Sequence, residues 1–128
     1  TPLLPSVDRT LHAIVTDLED RGLLDSTLIL MMGEFGRSPM INKNAGRDHW
    51  PRVMSMVVAG GGMKHGQVIG STDRQGGDID SRRVAPGDLA ATVFHHLGIE
   101  QNTHWNDPQG RPRPIVVEGG QVISELVG

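Results

Sequence analysis

Apolar positions recur at Val7, Leu11, Ile14, Val15 and Leu18, the spacing of one helix face. Ser6 is suited to capping the start of that helix and Gly22 to a left-handed stop. The next apolar stretch, Thr27-Leu28-Ile29-Leu30-Met31-Met32, runs without alternation. That pattern predicts a strand buried on both faces, as in parallel sheets covered by helices. A second run, Val53 to Ala59, ends in Gly60-Gly61-Gly62, which reads as a strand exit because it lacks the spacing of a nucleotide-binding loop. Further on, Pro86, Asp88, Leu89, Val93, Phe94, Leu97 and Gly98 predict a second helix with its acid at the positive end and glycine as its stop. Ile115-Val116-Val117, a Glu118-Gly119-Gly120-Gln121 turn and a short apolar tail predict an edge hairpin and one helical turn. The expected class is α/β.

Two polar stretches interrupt this framework. Met63 to Pro86 is rich in Gly, Asp, Arg and Ser, carries the short apolar patch Val68-Ile69, and reads as a long excursion from the core. Gln101 to Pro114 contains Asn106-Asp107-Pro108 and Gln109-Gly110, both turn formers. Neither a repeat nor a low-complexity tract is present.

Composition narrows the partners. The 128 residues, 37% hydrophobic with a formal charge of -3, are those of one ordinary domain. Arginines scattered among acids, with two Phe and two Trp, argue against nucleic acid. No apolar run is long enough to span a bilayer. The lack of cysteine excludes disulfides and thiolate catalysis and leaves the compartment undefined. Because the chain opens at Thr1-Pro2 with a helix almost at once, it is expected to be a piece of a longer protein.

The chemistry concentrates between the two apolar runs, from Gly33 to Pro51, where ligands sit in open α/β sheets. Asp48-His49 sets a hard oxygen beside an imidazole. Glu34 joins them if the loop folds back, giving a mixed O/N set suited to zinc, manganese or similar ions. Neighbours on an extended segment point in opposite directions, so the pair shares one ion only in an irregular loop; otherwise one ligates and the other orients. Arg37, Lys43 and Arg47 are placed to hold an anionic group.

Plainer readings stand beside these. Glu34 can cap a helix or pair with Arg37, and Asp48 can pair with Arg47 or Arg52, as surface ions commonly do. His95 and His96 lie on a helix whose stripe is already filled, and, with His12, His65 and His104, are expected to be solvated or partly buried. Trp105 is expected to pack a loop.

Gly33-Glu34-Phe35-Gly36-Arg37, Gly46-Arg47-Asp48-His49-Trp50-Pro51, Ala59-Gly60-Gly61-Gly62, Gly66 to Asp73 and Asp88-Leu89-Ala90-Ala91-Thr92 resemble the C-terminal portion of the bacterial domain of unknown function 1501 proteins. So does the stretch from Leu3-Leu4-Pro5 to Gly22-Leu23-Leu24. That family resembles the alkaline phosphatase and sulfatase superfamily. The resemblance implies a single partial domain over residues 1–128, part of a three-layer sandwich with a mostly parallel sheet between helices and divalent metal (zinc, manganese or calcium) at the strand ends. It implies a phosphate or sulfate ester hydrolase exported to the periplasm or beyond, acting on an anionic small-molecule or polysaccharide ester. Glu34 matches a metal-binding Asp, Phe35 stands where a second ligand is usual, and His49 falls at another ligand position. Asp48 substitutes for the loss at Phe35, Arg37 and Arg47 hold the anion, and the nucleophile lies in parts of the protein outside this chain. The rival expectation is a binding or structural module that keeps the fold with a degenerate metal site.

Overall fold

A computed structural model describes residues 3–116 and 119–127. Helix α1 spans Leu3–Asp20, beginning before Ser6, with Pro5 in its first turn where a missing N–H is harmless. Its end is the expected glycine stop. Gly22 has φ 67°, its N–H donates to the carbonyl of Glu19, and the Leu23 N–H donates to that of Leu18. A 3-10 turn at Leu24–Ser26 then leads into strand β1, Leu28–Met32.

β1 pairs with β4, Met56–Gly60, and between them lie two short strands, β2 at Gly36–Arg37 and β3 at His49–Trp50. The β1–β4 pair is antiparallel, Leu28 facing Gly60 and Met32 facing Met56. This corrects the expectation of a mostly parallel sheet. Parallel neighbours need a crossover element, but Gly33 to Ser55 holds no helix and folds back on itself. Nor is β1 covered on both faces, since Leu30 and Met32 are exposed. Among the described residues all sheets are two-stranded and antiparallel, so the chain is a mixture of helices and strands without a parallel sandwich.

Met63 to Pro86 forms a hairpin of β5, Ser71–Thr72, and β6, Ile79–Ser81. Helix α2, Pro86–His96, follows the predicted boundaries, with the Asp88 carboxylate accepting the Ala85 N–H at its start and Gly98 at its stop. A further hairpin pairs β7, His104–Asn106, with β8, Pro112–Pro114. It uses the two turn formers of the polar stretch, where no strand was expected. The hairpin expected from Ile115 to Gln121 includes Val117 and Glu118, which lie outside the described residues. The predicted closing turn is α3, Ser124–Val127.

The core is small. Met63, Ile123 and Leu126 are buried together, with Leu28, Val58, Ile69, Val84 and Val127 packed on them, so α3 seals one side of the β1–β4 pair. Buried Thr92 joins α2 to this core, its hydroxyl donating to the Asp88 carbonyl and accepting the Ile123 N–H. Gly60 is required where β4 leaves the sheet. Its φ is 70°, and a Cβ there would strike the Thr27 carbonyl oxygen.

Candidate functional site

The Gly33 to Arg52 segment is a loop closed by its own polar groups. Asn42 is its centre: Oδ1 accepts the N–H groups of Asn44 and Gly46, and Nδ2 donates to Asp48 Oδ1 at 2.7 Å. Such Asx geometry lets one side chain do the work of a backbone turn. Arg47 Nη1 donates to the carbonyls of Ser38 and Pro39, both at 2.7 Å, and Arg37 Nη1 donates to the Arg47 carbonyl at 3.3 Å. Ser38 accepts the Met40 N–H through its hydroxyl and donates its own N–H to the Asp48 carbonyl.

Above this turn, β2 and β3 make a two-residue ribbon in which Gly36 faces Trp50 and Arg37 faces His49. Side chains alternate across a strand, so Phe35, Arg37 and His49 share one face. The contacts agree. The rings of Phe35 and His49 stack with centroids 3.9 Å apart at 35°, and the Arg37 guanidinium lies 5.7 Å from the Phe35 centroid. Gly36 and Trp50 take the other face. There a Cβ on Gly36 would run into the carbonyl oxygen of Val53, so only glycine allows the ribbon to lie against that strand entrance.

Glu34, at the exit of β1, and His49 are both exposed and make no side-chain hydrogen bond or ion pair with the described residues. Stacking on Phe35 covers a face of the imidazole and leaves its ring nitrogens, which lie in the ring plane, unengaged. Asp48 is turned into the loop toward Asn42, away from its neighbour, as the alternation of an extended segment requires. The plainer pairings are not formed. Arg52 pairs with Asp78 at 2.6 Å, and Glu34 makes no pair with Arg37. Among the described residues no three His, Asp or Glu side chains gather closely enough to hold a metal ion. In donor chemistry, a carboxylate and an imidazole each fit a divalent ion of the zinc or manganese type; two donors are fewer than the three or four protein ligands of such sites.

The remaining histidines lie elsewhere. His12 is exposed on α1 near Thr16, and His104 Nδ1 sits 2.7 Å from the Asn102 carbonyl. His95 and His96 line a shallow cavity of about 230 Å³ with Gly61, Gly62, Met63 and Val127. Trp105, on the β7–β8 hairpin, is 54% exposed. Sequence reasoning missed the long-range partners of the loop: Trp50 Nε1 donates to the Gly77 carbonyl at 2.7 Å, and Asp78 receives Arg52. The signal available was the density of turn residues from Asp73 to Asp78.

Carboxylates elsewhere are strongly held. Hydrogen bonds from the N–H groups of Gln121 and Ala85 keep the Asp88 carboxyl below its ordinary range, and the Arg111 N–H leads the groups that do the same at Asp107. Arg82 holds Glu125 down to about 2.

The family model described as "Protein of unknown function (DUF1501)" matches residues 1–127. No curated protein and no solved structure matches the chain. The chain belongs to the DUF1501 family.

Proposed function

We propose that this DUF1501 chain supplies part of the site of a metal-dependent phosphate or sulfate ester hydrolase of the alkaline phosphatase and sulfatase type. The nucleophile and the remaining ligands would come from other parts of an exported protein. The observation that carries the reading is that the two side chains of metal-ligand type, Glu34 and His49, make no hydrogen bond. Arg37, Ser38, Asn42, Arg47, Asp48 and Trp50 close the loop around them, while the exposed Lys43 and Asn44 side chains, which are also unengaged, are not ligands of that type.

In this reading Glu34 and His49 hold the ion, and Asp48 fixes the loop behind His49 or adds a ligand. A divalent metal would polarise the ester oxygen and lower the pKa of the nucleophile. Arg37 and Arg47 present their remaining guanidinium donors to the anion, a bidentate geometry that suits phosphate and sulfate alike. The substrate is an anionic small-molecule or polysaccharide ester.

A second reading, a binding or structural module with a degenerate site, is favoured by Phe35, which packs on His49 in place of a ligand. Metal analysis of the intact protein separates the two. The hydrolase reading expects a bound divalent ion, a thermal midpoint lowered by chelator, loss of the ion in Glu34→Gln and His49→Ala, and turnover of phosphate or sulfate esters. A protein without a bound divalent ion and indifferent to chelator sinks it.

A further inference from the structure

We infer that Trp50 and Arg52 are positioning residues that bolt the ribbon carrying His49 to the β5–β6 hairpin and so set the place of the imidazole; the inference deepens the proposed site and rests on that reading for the role of His49. The ribbon has only two residue pairs, too few to hold its place by strand pairing alone. Its front face bears Phe35, Arg37 and His49. Its back face bears Trp50, whose indole N–H reaches 27 positions along the chain to the Gly77 carbonyl.

Arg52 makes a second bolt with Asp78, one residue further along the hairpin turn, and its guanidinium lies 5.9 Å from the Trp50 ring centroid. The opposite limb of the loop comes near the same turn, the Pro39 ring lying 3.7 Å from the point a Cβ on Gly77 would occupy.

That turn is stiff enough to act as an anchor. The Asp73 N–H donates to the Asp78 carbonyl, the Gly76 N–H to the Asp73 carbonyl, and the Gly77 N–H to Asp73 Oδ1 at 2.8 Å. Trp50 follows His49 directly and points the opposite way, so pinning the indole fixes the backbone from which the imidazole projects. Outer groups that orient a metal ligand are worth about tenfold or more in affinity. Here the orienting group acts through the backbone of the next residue.

The test uses the intact protein with its histidine and tryptophan rings labelled with ¹⁵N. Trp50→Phe keeps an aromatic ring, a smaller one, and removes the donor; Arg52→Asp breaks the second bolt, and Arg52→Asp with Asp78→Arg restores it reversed. The expected result is a shifted or broadened His49 ring resonance in both single variants and divalent-ion affinity lowered about tenfold in Trp50→Phe. The reversed pair should recover the His49 resonance, which a merely local loss of packing would not. An unmoved His49 resonance in both Trp50→Phe and Arg52→Asp overturns the inference. If the unsubstituted protein binds no divalent ion, the hydrolase reading fails by itself, and the His49 resonance still decides whether Trp50 and Arg52 position the ring.

Discussion

Helix α1 and the Gly33 to Arg52 loop are specified by opposite means. The helix has a clean apolar stripe and a complete glycine stop, yet none of its described residues is buried; Val7 and Ile14 on the stripe are 46% and 45% exposed. Ile29, Leu30 and Met31 face that stripe across an apolar cavity of about 330 Å³. The loop is nearly as exposed but is fixed residue by residue, through donors and acceptors that find each other within a few positions. Periodicity declares that a surface is made for burial. Hydrogen-bond chemistry declares one particular conformation, and it is the loop that carries the idle donors Glu34 and His49.

The sharpest way to break this contrast is at Gly36. A methyl group there meets the backbone of Val53, which has no rotamer by which to withdraw, whereas a Cβ on Gly46 finds its nearest atom at 3.6 Å. Overpacking against backbone costs about 3 kcal/mol, so Gly36→Ala should lower the unfolding free energy by that order or detach the ribbon. Gly46→Ala should be close to neutral. Denaturant unfolding of both variants checks it, and equal effects would mean that the loop is not specified at single positions.

What could be read in advance follows the same division. The helix from Pro86 and the stop at Gly22 were legible because caps and periodicity are local. The strand at Leu28–Met32 was legible as a strand, but its partner's direction was not, because an apolar run encodes burial and not orientation. The β7–β8 hairpin was hidden by Pro112 and Pro114, which suppress strand propensity but are tolerated on an edge. At the site, Asn42, Arg37 and Arg47 are visible in the sequence as polar residues; Asn42 bonds backbone N–H groups and Asp48, and the two arginines bond backbone carbonyls, which every residue has, so composition could not tell a loop clamp from an anion holder. The bond from Trp50 to Gly77 joins residues with no shared pattern at all.

Acid should separate polar closure from apolar packing. Asp88, Asp107 and Glu125 all have folded-state pKa values below their ordinary ones, through backbone N–H donors first for Asp88 and Asp107 and through Arg82 first for Glu125. A depressed carboxyl contributes stability that is complete above its unfolded value, about pH 4. That contribution is lost as the pH falls through the folded value, about 2 for Glu125. The thermal midpoint should therefore decline from about pH 5 downward. Amide exchange should rise first around α2, α3 and the β7–β8 turn, while α1 and β1, which hold none of these three carboxylates, lag behind. Glu125→Gln should flatten part of the decline, and a midpoint unchanged between pH 5 and pH 2 would show that these carboxylates do not support the fold.

The smallest effect belongs to the helix, and it tests what the exposed stripe means. Ile14→Ser removes an apolar side chain that is only about half withdrawn from water, so the loss of buried area is modest and serine adds a small propensity cost. The expected change in unfolding free energy is under about 1 kcal/mol, well below that of a residue such as Ile123, where 3% exposure puts a truncation at about 3 kcal/mol. A loss of more than about 2 kcal/mol at Ile14 would mean that the stripe is covered more fully than these contacts allow, and α1 would then belong with the core. A small loss leaves α1 as a surface shaped for burial and held in place mainly by its C-terminal turn and the 3-10 segment that follows, with the Gly33 to Arg52 loop owing its shape to none of it.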